Sequence, residues 1–361
     1  MVPDRERLPD VPTAHHNPPH PMRTASALVE SPLQLLCTIE AHAAGLGGNP
    51  TRVHVRDDVP SLGNALDAVR GFGLPGGLSA ELTGRRAALT ANEPVWLVGD
   101  AFSGLFQATA PLRRGLTQVV LVDDGLATLD LARRIAEREP LIRPRATAGA
   151  ARRSLGTVAA RRLRSLAADG RATLFTALPL DVAVSDRLLA MGFELVRNTF
   201  SWLAQVPAAD APSEPTVVIG SALAGDGLID ADRYVDWVRS LAADGPLRYL
   251  PHRREPEAVL NRLSSVDGLV LDAAGAPVEL RLRGMTASQR VVSLPSTAAV
   301  LLTTILAPAG VAVSPQAVPD SWWTDRATPS LRAHLSSVLR LAAETHAART
   351  GPDSTNPEDH G

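Results

Sequence analysis

The sequence predicts an α/β protein with two Rossmann-like domains whose parallel sheets face each other across a cleft. Short apolar runs alternate with longer helical stretches from residue 24 onward, which is typical of βαβ units. A segment rich in Ala, Pro and Asp at residues 205–215 interrupts this alternation, which then restarts. The most polar clusters directly follow apolar runs, in the position where open α/β sheets bind ligands.

The first domain is expected over residues 24–204. Its strands are predicted at six short apolar runs: Ala25–Val29, Arg52–Val55, Val95–Val98, Val119–Val122, Ala172–Phe175 and Glu194–Val196. Helices are predicted between the strands, at Leu33–Ala44, Ser61–Arg70, Phe102–Leu112 and Leu126–Glu139.

The second domain is expected over residues 216–328, followed by a closing helix at 329–349. Its strands are predicted at Thr216–Ile219, Arg248–Leu250, Leu269–Leu271, Val291–Leu294 and Val311–Val313. Its helices are predicted at Asp230–Ala243, Pro256–Leu263, Pro277–Arg283 and Thr297–Leu306. Residues 1–23 and 350–361 are polar or rich in proline, and we expect both to be disordered tails.

Composition excludes several classes of function. The chain has 361 residues and a formal net charge of −2, so bulk charge does not favour a nucleic-acid partner. All 36 basic residues are arginines, which removes mechanisms that need a lysine Schiff base or a Walker-type lysine. The single cysteine, Cys37, excludes an internal disulfide and a cysteine-based zinc site, and we expect it to be buried.

Targeting signals are not evident in the sequence. There is no apolar run of about 18 residues, as a transmembrane helix requires. The first 23 residues lack the apolar core of a signal peptide, and His15, His16 and His20 within them are typical of a tail rather than of a metal site. We therefore expect a cytoplasmic protein that associates with the inner face of the membrane through partners.

A carboxylate pair ends the fourth predicted strand, as Asp123-Asp124-Gly125. Adjacent carboxylates repel each other, so one of them can have a raised pKa and serve as a general base. The glycine lets the backbone approach a ligand closely. An N-cap followed by a turn glycine is the structural alternative.

A cluster of His and Arg follows the strand predicted at Arg248–Leu250, with the sequence Pro-His-Arg-Arg-Glu at residues 251–255. Arginine offers forked donors and His252 can donate a hydrogen bond or a proton, so the cluster suits a phosphate group. A solvated charge cluster with a surface histidine is the alternative.

Hydroxyl and carboxyl groups also lie at predicted helix starts. Ser296 and Thr297 begin an apolar helix, where hydroxyls and free N–H groups form an anion site or an ordinary N-cap. Glu279 lies in the first turn of a short helix, where a carboxylate complements the helix dipole or accepts hydrogen bonds from ribose hydroxyls.

Three further carboxyl and amide groups are candidates for the site. Glu30 and Gln34 bracket the turn that opens the first helix, and capping explains Ser31 there but not these two residues. Asp226 lies between two glycines in the loop after the strand at Thr216–Ile219, where a flexible turn is the default interpretation.

Together these motifs resemble those of the bacterial sialyltransferases of GT-B fold, especially the lipooligosaccharide sialyltransferase and capsular polysialyltransferase families. Those families share an acidic-acidic-Gly motif, a His-Pro motif and a Ser-Ser/Thr motif in that order. Residues 123–125 and 296–297 match the first and third motifs. Residues 249–255 are similar to Tyr-x-Pro-His-Pro-Arg-Glu, with Arg253 in place of the second proline.

The resemblance implies an inverting, metal-independent glycosyltransferase. Such an enzyme moves sialic acid, or a related nonulosonic acid, from a CMP-activated donor to a cell-surface glycan. By this resemblance, Asp124 or Asp123 deprotonates the acceptor hydroxyl, and Asp226 is a second candidate for that base. His252 contacts the CMP phosphate and helps it to depart.

The other matching positions are implied to bind the donor. Ser296 and Thr297 hold the phosphate and Glu279 binds the ribose. Arg253 departs from the family pattern and adds a hydrogen-bond donor that can reach the phosphate or the carboxylate of the sugar. Either the donor is another CMP-nonulosonate or the subfamily has drifted at this position. No cofactor is implied beyond the donor itself.

The implied partners are the nucleotide sugar and a glycan acceptor, with no nucleic acid, no transmembrane segment and a peripheral association with membrane-bound glycan machinery. Two stretches, 71–90 and 148–166, are expected as acceptor-side loops. The second is rich in arginine, which suits either an anionic glycan or the solvated face of a helix, and the pattern favours the helix face.

Two other hypotheses stay open. One is a GT-B transferase that uses another nucleotide sugar, with a UDP or GDP leaving group. The other is a non-catalytic relative that binds a glycan or a nucleotide. The intact carboxylate pair, His252 and the Ser-Thr pair count against the non-catalytic alternative.

Overall fold

Two parallel β-sheets organise the computed structural model, which describes residues 23–84, 91–143, 149–208, 210–273 and 275–350. Apart from Arg23 and Thr350, the two tails predicted to be disordered lie outside these residues, as do the three histidines of the first tail.

The first domain is built on seven parallel strands. They are β1 (Ala25–Val29), β2 (Thr51–Arg56), β3 (Leu78–Thr83), β4 (Val95–Val98), β5 (Gln118–Val122), β6 (Ala172–Thr176) and β7 (Glu194–Arg197). In the sheet they lie in the order β3-β2-β1-β4-β5-β6-β7. The register places Val29 opposite Val55 and Val122 opposite Phe175, so the carboxyl ends of neighbouring strands lie level.

Helices cover both faces of this sheet. They are α1 (Pro32–Ala43), α2 (Pro60–Phe72), α3 (Gly104–Thr109), α4 (Ala127–Ala136), α5 (Ala150–Ala168), α6 (Val182–Ala190) and α7 (Ser201–Gln205). Strand β5 explains this arrangement, because Val120 and Val122 join the apolar cluster of α1 and α2 while Val119 and Leu121 join that of α3 to α6. Alternate side chains of a strand point to opposite faces, so an all-apolar strand needs cover on both.

The second domain repeats the plan with five parallel strands. They are β8 (Thr216–Ile219), β9 (Leu247–Leu250), β10 (Leu269–Leu271), β11 (Arg290–Ser293) and β12 (Ala312–Pro315), in the order β10-β9-β8-β11-β12. The helices are α8 (Ala222–Gly225), α9 (Ala231–Ala243), α10 (Glu257–Leu263), α11 (Val278–Arg281), α12 (Thr297–Ile305) and α13 (Pro329–Thr350). Short 3₁₀ turns occupy Ala307–Ala309 and Asp320–Trp322.

The last helix, α13, joins the two domains. Leu331 and Leu335 belong to an apolar cluster of the second domain, whereas Val338 and Ala342, about two turns further on, belong to a cluster of the first. The predicted fold class is therefore confirmed as α/β with GT-B architecture: two Rossmann-like domains with parallel sheets and a closing C-terminal helix. Of the described helices, none combines the length and apolar character needed to cross a bilayer.

Both stretches expected as acceptor-side loops contain regular structure, so this expectation is corrected. Residues 71–90 include strand β3, which lies at the sheet edge and alternates buried and exposed side chains. Residues 148–166 lie mostly in α5, which confirms that the arginines of this stretch belong to a helix. The expectation for Cys37 is also confirmed, since its thiol is fully buried in α1 and burial raises its pKa.

A buried carboxylate ties the end of the first domain to its first helix. Glu40 in α1 is 1% exposed and accepts the backbone N–H groups of Trp202 at 3.0 Å and Leu203 at 2.8 Å. These amides lie in the first turn of α7, whose preceding residue, Phe200, provides no side-chain cap. Glu40 thus satisfies helix amides that the helix itself leaves unpaired.

We expect Glu40→Ala to destabilise the fold, because it leaves two buried amides without an acceptor. The loss in the free energy of unfolding should be roughly 2 to 4 kcal/mol, measured by urea denaturation. Glu81→Ala, on the exposed side of β3, is the matched control and should change the stability little. Equal losses in the two variants would contradict this role of Glu40.

Candidate functional site

The residues singled out from the sequence follow strands that lie near the point where each sheet reverses its winding. This point falls between β1 and β4 in the first sheet and between β8 and β11 in the second. Glu30 follows β1, and Asp123 follows β5. In the second domain His252 follows β9, and Ser296 follows β11. Crevices form outside the carboxyl ends of strands at such points, and ligands bind there.

The two carboxylates of the acidic motif have different surroundings. Asp123 is 0% exposed and accepts hydrogen bonds from the Thr176 hydroxyl at 2.5 Å and from the Ala177 N–H at 2.7 Å. Both donors lie at the end of β6, so Asp123 joins the carboxyl ends of β5 and β6. Burial raises the pKa of Asp123 to about 6, although these hydrogen bonds oppose the shift.

Asp124 is the accessible member of the pair, with 18% of its side chain exposed. Its Oδ1 accepts a hydrogen bond from the Gln34 amide at 2.8 Å and lies 3.4 Å from the Ser31 hydroxyl. Its Oδ2 lies 3.8 Å from the Arg143 guanidinium. Burial raises the pKa of Asp124, while the bond from Gln34 opposes the rise. A largely buried but still accessible carboxylate with a raised pKa is suited to accept a proton.

The turn after β1 positions the amide that contacts Asp124. Ser31 caps α1 by accepting the Gln34 N–H at 3.3 Å, as the capping interpretation predicts. Gln34 is 2% exposed and its Oε1 accepts the Glu30 N–H at 2.8 Å, which directs its NH₂ group toward the carboxylate. Glu30 itself forms an ion pair with Arg56 at 2.8 Å. Of these two candidates, only Gln34 is shown in contact with Asp124.

The sequence analysis missed two residues beside Asp124. Asp100 follows β4, forms an ion pair with Arg143 and accepts the Phe102 N–H at 2.8 Å. An acidic residue just past a predicted strand was a usable signal for Asp100. No comparable signal marks Arg143, which lies 43 residues away in the chain.

The loop that carries His252 is held by hydrogen bonds of its own. The Arg254 N–H donates to His252 Nδ1 at 3.1 Å, so the proton of the neutral ring lies on Nε2. The His252 N–H donates to Glu255 Oε2 at 2.7 Å, and the Glu255 N–H donates to the His252 carbonyl at 2.9 Å. These bonds restrain the loop where the family pattern has proline in place of Arg253. Burial lowers the pKa of His252, and the neighbouring Arg254 and Arg253 lower it further.

Beneath this loop lies a buried network that includes both tyrosines of the chain. The Tyr234 and Tyr249 hydroxyls lie 2.6 Å apart, and both donate to Glu255 Oε1. The Ser221 N–H donates to the Tyr234 hydroxyl at 3.1 Å, which links the loops after β8 and β9. A Cβ on Gly220 would lie 2.6 Å from the His252 nitrogen, so only glycine fits between the two loops.

Two candidates lie at the rim of the His252 loop. Asp226 forms an ion pair with Arg254 at 2.9 Å and follows α8 in the second domain. Arg253 is exposed to solvent. Asp226 is therefore engaged by its own domain, whereas Asp124 lies in the opposite domain.

The hydroxyl motif contacts the acidic motif across the two domains. Ser296 caps α12 by accepting the Ala299 N–H at 3.2 Å, which agrees with the capping alternative. Gly125 has a φ of +63°, and a Cβ there would lie 3.0 Å from Thr297 Cγ2 and 3.1 Å from its Oγ1. Both the backbone conformation and the approach of Thr297 thus favour glycine. The cleft at this point is only as wide as a van der Waals contact.

Glu279 lies beside the same contact region, in the first turn of α11. It is 7% exposed, and burial raises its pKa while its own backbone N–H opposes the rise. Its neighbour Leu280 packs in the apolar cluster of the first domain, which places Glu279 at the domain interface. Within the described residues, no three His, Cys, Asp or Glu side chains come together as a metal site.

No protein-family model matches the chain, and no curated protein matches it in sequence. Solved structures with a similar fold include the α/β-galactoside α-2,3-sialyltransferase of the luminous marine bacterium Photobacterium phosphoreum. The two sequences are 12% identical, the match covers 90% of this chain and 96% of that chain, and the TM-score is 0.47.

Two further similar structures are complexes with UDP. TcCGT1 has 11% identity, coverage of 91% of this chain and 94% of that chain, and a TM-score of 0.46. S. aureus MnaA has 10% identity, coverage of 79% and 78%, and a TM-score of 0.45. At such identities the chemistry of this chain has to be inferred from its own residues.

The raised pKa of Asp123 predicts a pH-dependent stability. A carboxyl whose pKa rises on folding contributes stability that is present at low pH and is lost as the pH rises through the folded pKa of about 6. The Asp123→Asn variant keeps the shape but does not titrate. Relative to the wild type it should therefore gain up to about 3 kcal/mol of unfolding free energy between pH 4 and pH 7.

Urea denaturation at several pH values measures this difference. Asp186→Asn, on the exposed face of α6, serves as the control for the substitution itself. A flat difference for Asp123→Asn would mean that the buried carboxyl titrates normally.

Proposed function

We propose that the protein is an inverting, metal-independent glycosyltransferase that moves a nonulosonic acid such as sialic acid from a CMP-activated donor to a glycan acceptor. The observation that carries this proposal is the contact of Gly125 with Thr297. It supports the proposal because Asp124, a carboxylate suited to act as a base, directly precedes the glycine of the first domain that faces Thr297 at the start of α12.

The second domain offers hydrogen-bond donors for a phosphate at the ends of two strands that flank β8. His252 Nε2 follows β9, and Ser296 and Thr297 begin α12 after β11, with β8 between the two strands. Neighbouring strands are about 4.8 Å apart, so these groups are separated by about 10 Å across the sheet edge. The N-terminus of α12 adds unpaired N–H groups and the positive end of the helix dipole. A phosphate between them would face donors on two sides.

The base on the first domain completes the reaction. The acceptor hydroxyl gives its proton to Oδ2 of Asp124, because Oδ1 already accepts the Gln34 amide. The acceptor oxygen bonds to the anomeric carbon as the bond from that carbon to the phosphate oxygen breaks. His252 donates a hydrogen bond from Nε2 to the departing CMP phosphate, whose developing charge the helix end also stabilises. Attack from the face opposite the leaving group inverts the anomeric configuration.

Other candidates take supporting positions in this proposal. Glu279, at the domain interface, would accept hydrogen bonds from the ribose hydroxyls of the donor. Arg253 is exposed beside His252 and offers a cation to the phosphate or to the carboxylate of the sugar. An arginine at position 253 instead of proline suits a CMP-nonulosonate other than CMP-sialic acid. We also propose that the protein acts in the cytoplasm on acceptors made by membrane-bound glycan machinery.

The first test separates the two candidate bases. Asp124→Asn should lower kcat with a CMP-sugar donor by roughly 10²- to 10⁴-fold while leaving CMP affinity unchanged, because only the proton acceptor is lost. Asp226→Asn is the matched variant on the other domain and should leave kcat nearly unchanged. Steady-state transfer assays measure both. Loss of activity in Asp226→Asn alone would transfer the role of base to Asp226.

The second test identifies the leaving group. Calorimetric titration with CMP, UDP and GDP should show binding of CMP, weakened roughly tenfold to a hundredfold in His252→Gln, because a hydrogen bond to a charged group is lost. Preference for UDP or GDP would point to a transferase with another donor. Binding of CMP without transfer to any acceptor would point to a non-catalytic relative.

The lowered pKa of His252 adds a pH signature to the same titration. A bound phosphate favours the protonated ring, so His252 should contribute proton uptake to CMP binding, and the wild type should take up more protons on binding than His252→Gln. The phosphate of CMP titrates in the same range. The His252→Gln variant shows the proton exchange that comes from the CMP phosphate alone. Identical proton uptake in the two proteins would exclude His252 from the phosphate site.

A further inference from the structure

Helix α5 carries charge of one sign on the surface of the first domain. Its 19 residues include five arginines and no acidic residue. The five are Arg152, Arg153, Arg161, Arg162 and Arg164. The helix buries Ala159, Leu163 and Leu166 against the sheet, so its outer side faces solvent.

The basic flank of α5 is crowded with like charges. Burial lowers the pKa of Arg164, and the nearby charges of Arg138 and Arg161 lower it further. The Arg161 and Arg138 side chains are exposed. Concentrated positive charge at a surface attracts anionic partners and steers them toward it.

An apolar stripe runs along the other flank of the same helix. Leu155 and Val158, one turn apart, are 40% and 44% exposed, and Leu112 in the turn after α3 is 76% exposed. Arg162 donates to the Arg113 carbonyl at 3.3 Å, which holds the turn carrying Leu112 beside this flank. Exposed apolar side chains next to a basic surface suit a partner that offers both anionic groups and an apolar layer.

The surface adjoins the candidate active site. Arg152, at the start of α5, donates to the Phe102 carbonyl, and the Phe102 N–H donates to Asp100 at 2.8 Å. Asp100 in turn pairs with Arg143, which faces Asp124. The outer side of α5 is thus connected by a short series of contacts to the side of the cleft that carries the base.

We propose that the outer side of α5, with the turn at Leu112, docks on a membrane surface rich in anionic lipid. The arginines would pair with lipid phosphates, and Leu112, Leu155 and Val158 would enter the interfacial layer. A soluble anionic glycan would satisfy the charge but not the apolar stripe, so the lipid surface is favoured. This proposal goes beyond the proposed enzymatic function and does not depend on it.

Flotation of the full-length protein with vesicles of phosphatidylcholine, with and without about one third phosphatidylglycerol, tests the proposal directly. The wild type should float with the anionic vesicles only, and high salt should release it. Failure to float with anionic vesicles, or equal binding to the neutral ones, would overturn the proposal.

Paired variants separate the two contributions. Arg114→Gln/Arg161→Gln removes one exposed charge from the turn that carries Leu112 and one from α5, and Leu112→Ser/Val158→Ser removes exposed apolar groups. Each pair should lower the partition onto anionic vesicles roughly tenfold or more. Weakening by the arginine pair alone would indicate a surface for soluble anions such as glycans and would contradict membrane docking.

Two control pairs lie outside the proposed docking surface. Val182→Ser/Leu189→Ser removes exposed apolar groups from α6, which are 75% and 53% exposed. Arg233→Gln/Arg239→Gln removes two exposed arginines from α9 in the second domain. Both controls should float like the wild type, and equal losses in the controls would contradict a specific docking face. Unchanged thermal unfolding shows that each variant is folded, and CMP titration reports the donor site separately.

Discussion

The approach of Gly125 to Thr297 is the constraint on which the proposed chemistry depends. It fixes how close the carboxyl ends of the two sheets come, because a side chain at position 125 would overlap Thr297. The loops after β5 and β11 therefore face each other with no intervening layer. The proposed base on one domain and the proposed hydrogen-bond donors to the phosphate on the other meet at that point. Positions 125 and 296 of these two loops are 171 positions apart in the sequence.

Each motif that lines the cleft pairs a buried carboxylate with an accessible reactive group. Asp123 accepts two hydrogen bonds at the end of β6, and its neighbour Asp124 reaches the cleft. Glu255 accepts hydrogen bonds from two tyrosines and from the His252 N–H, and His252 reaches the cleft above it. Burying a carboxylate is costly unless donors satisfy it, so these networks hold each loop in one conformation. The reactive neighbours, Asp124 and His252, are thereby pre-positioned while each stays partly exposed.

The sequence predicted the strand ends better than the division of roles within a motif. The run Val119–Val122 was sufficient to place the carboxylate pair at a sheet edge, since an all-apolar run indicates a central strand. It was not sufficient to tell Asp123 from Asp124, because the donors that bury Asp123 come from Thr176 and Ala177, more than 50 residues later. Strand β3 was missed because an edge strand needs few apolar residues.

Closure of the cleft in this structure has a consequence for donor binding. Val300 and Leu301 of α12 pack in the apolar cluster of the first domain, and α13 contributes to both domains. Separating the domains would expose such side chains, at a cost of about 1.5 to 3 kcal/mol for each large one. Glu40 holds α7 to the first domain, so the segment about which the two domains can rotate begins after α7. The proposed nucleotide-sugar donor therefore has to enter a protein that favours the closed form. Part of its binding free energy is spent on opening, so its apparent affinity is lower than the contacts of the closed site alone would give.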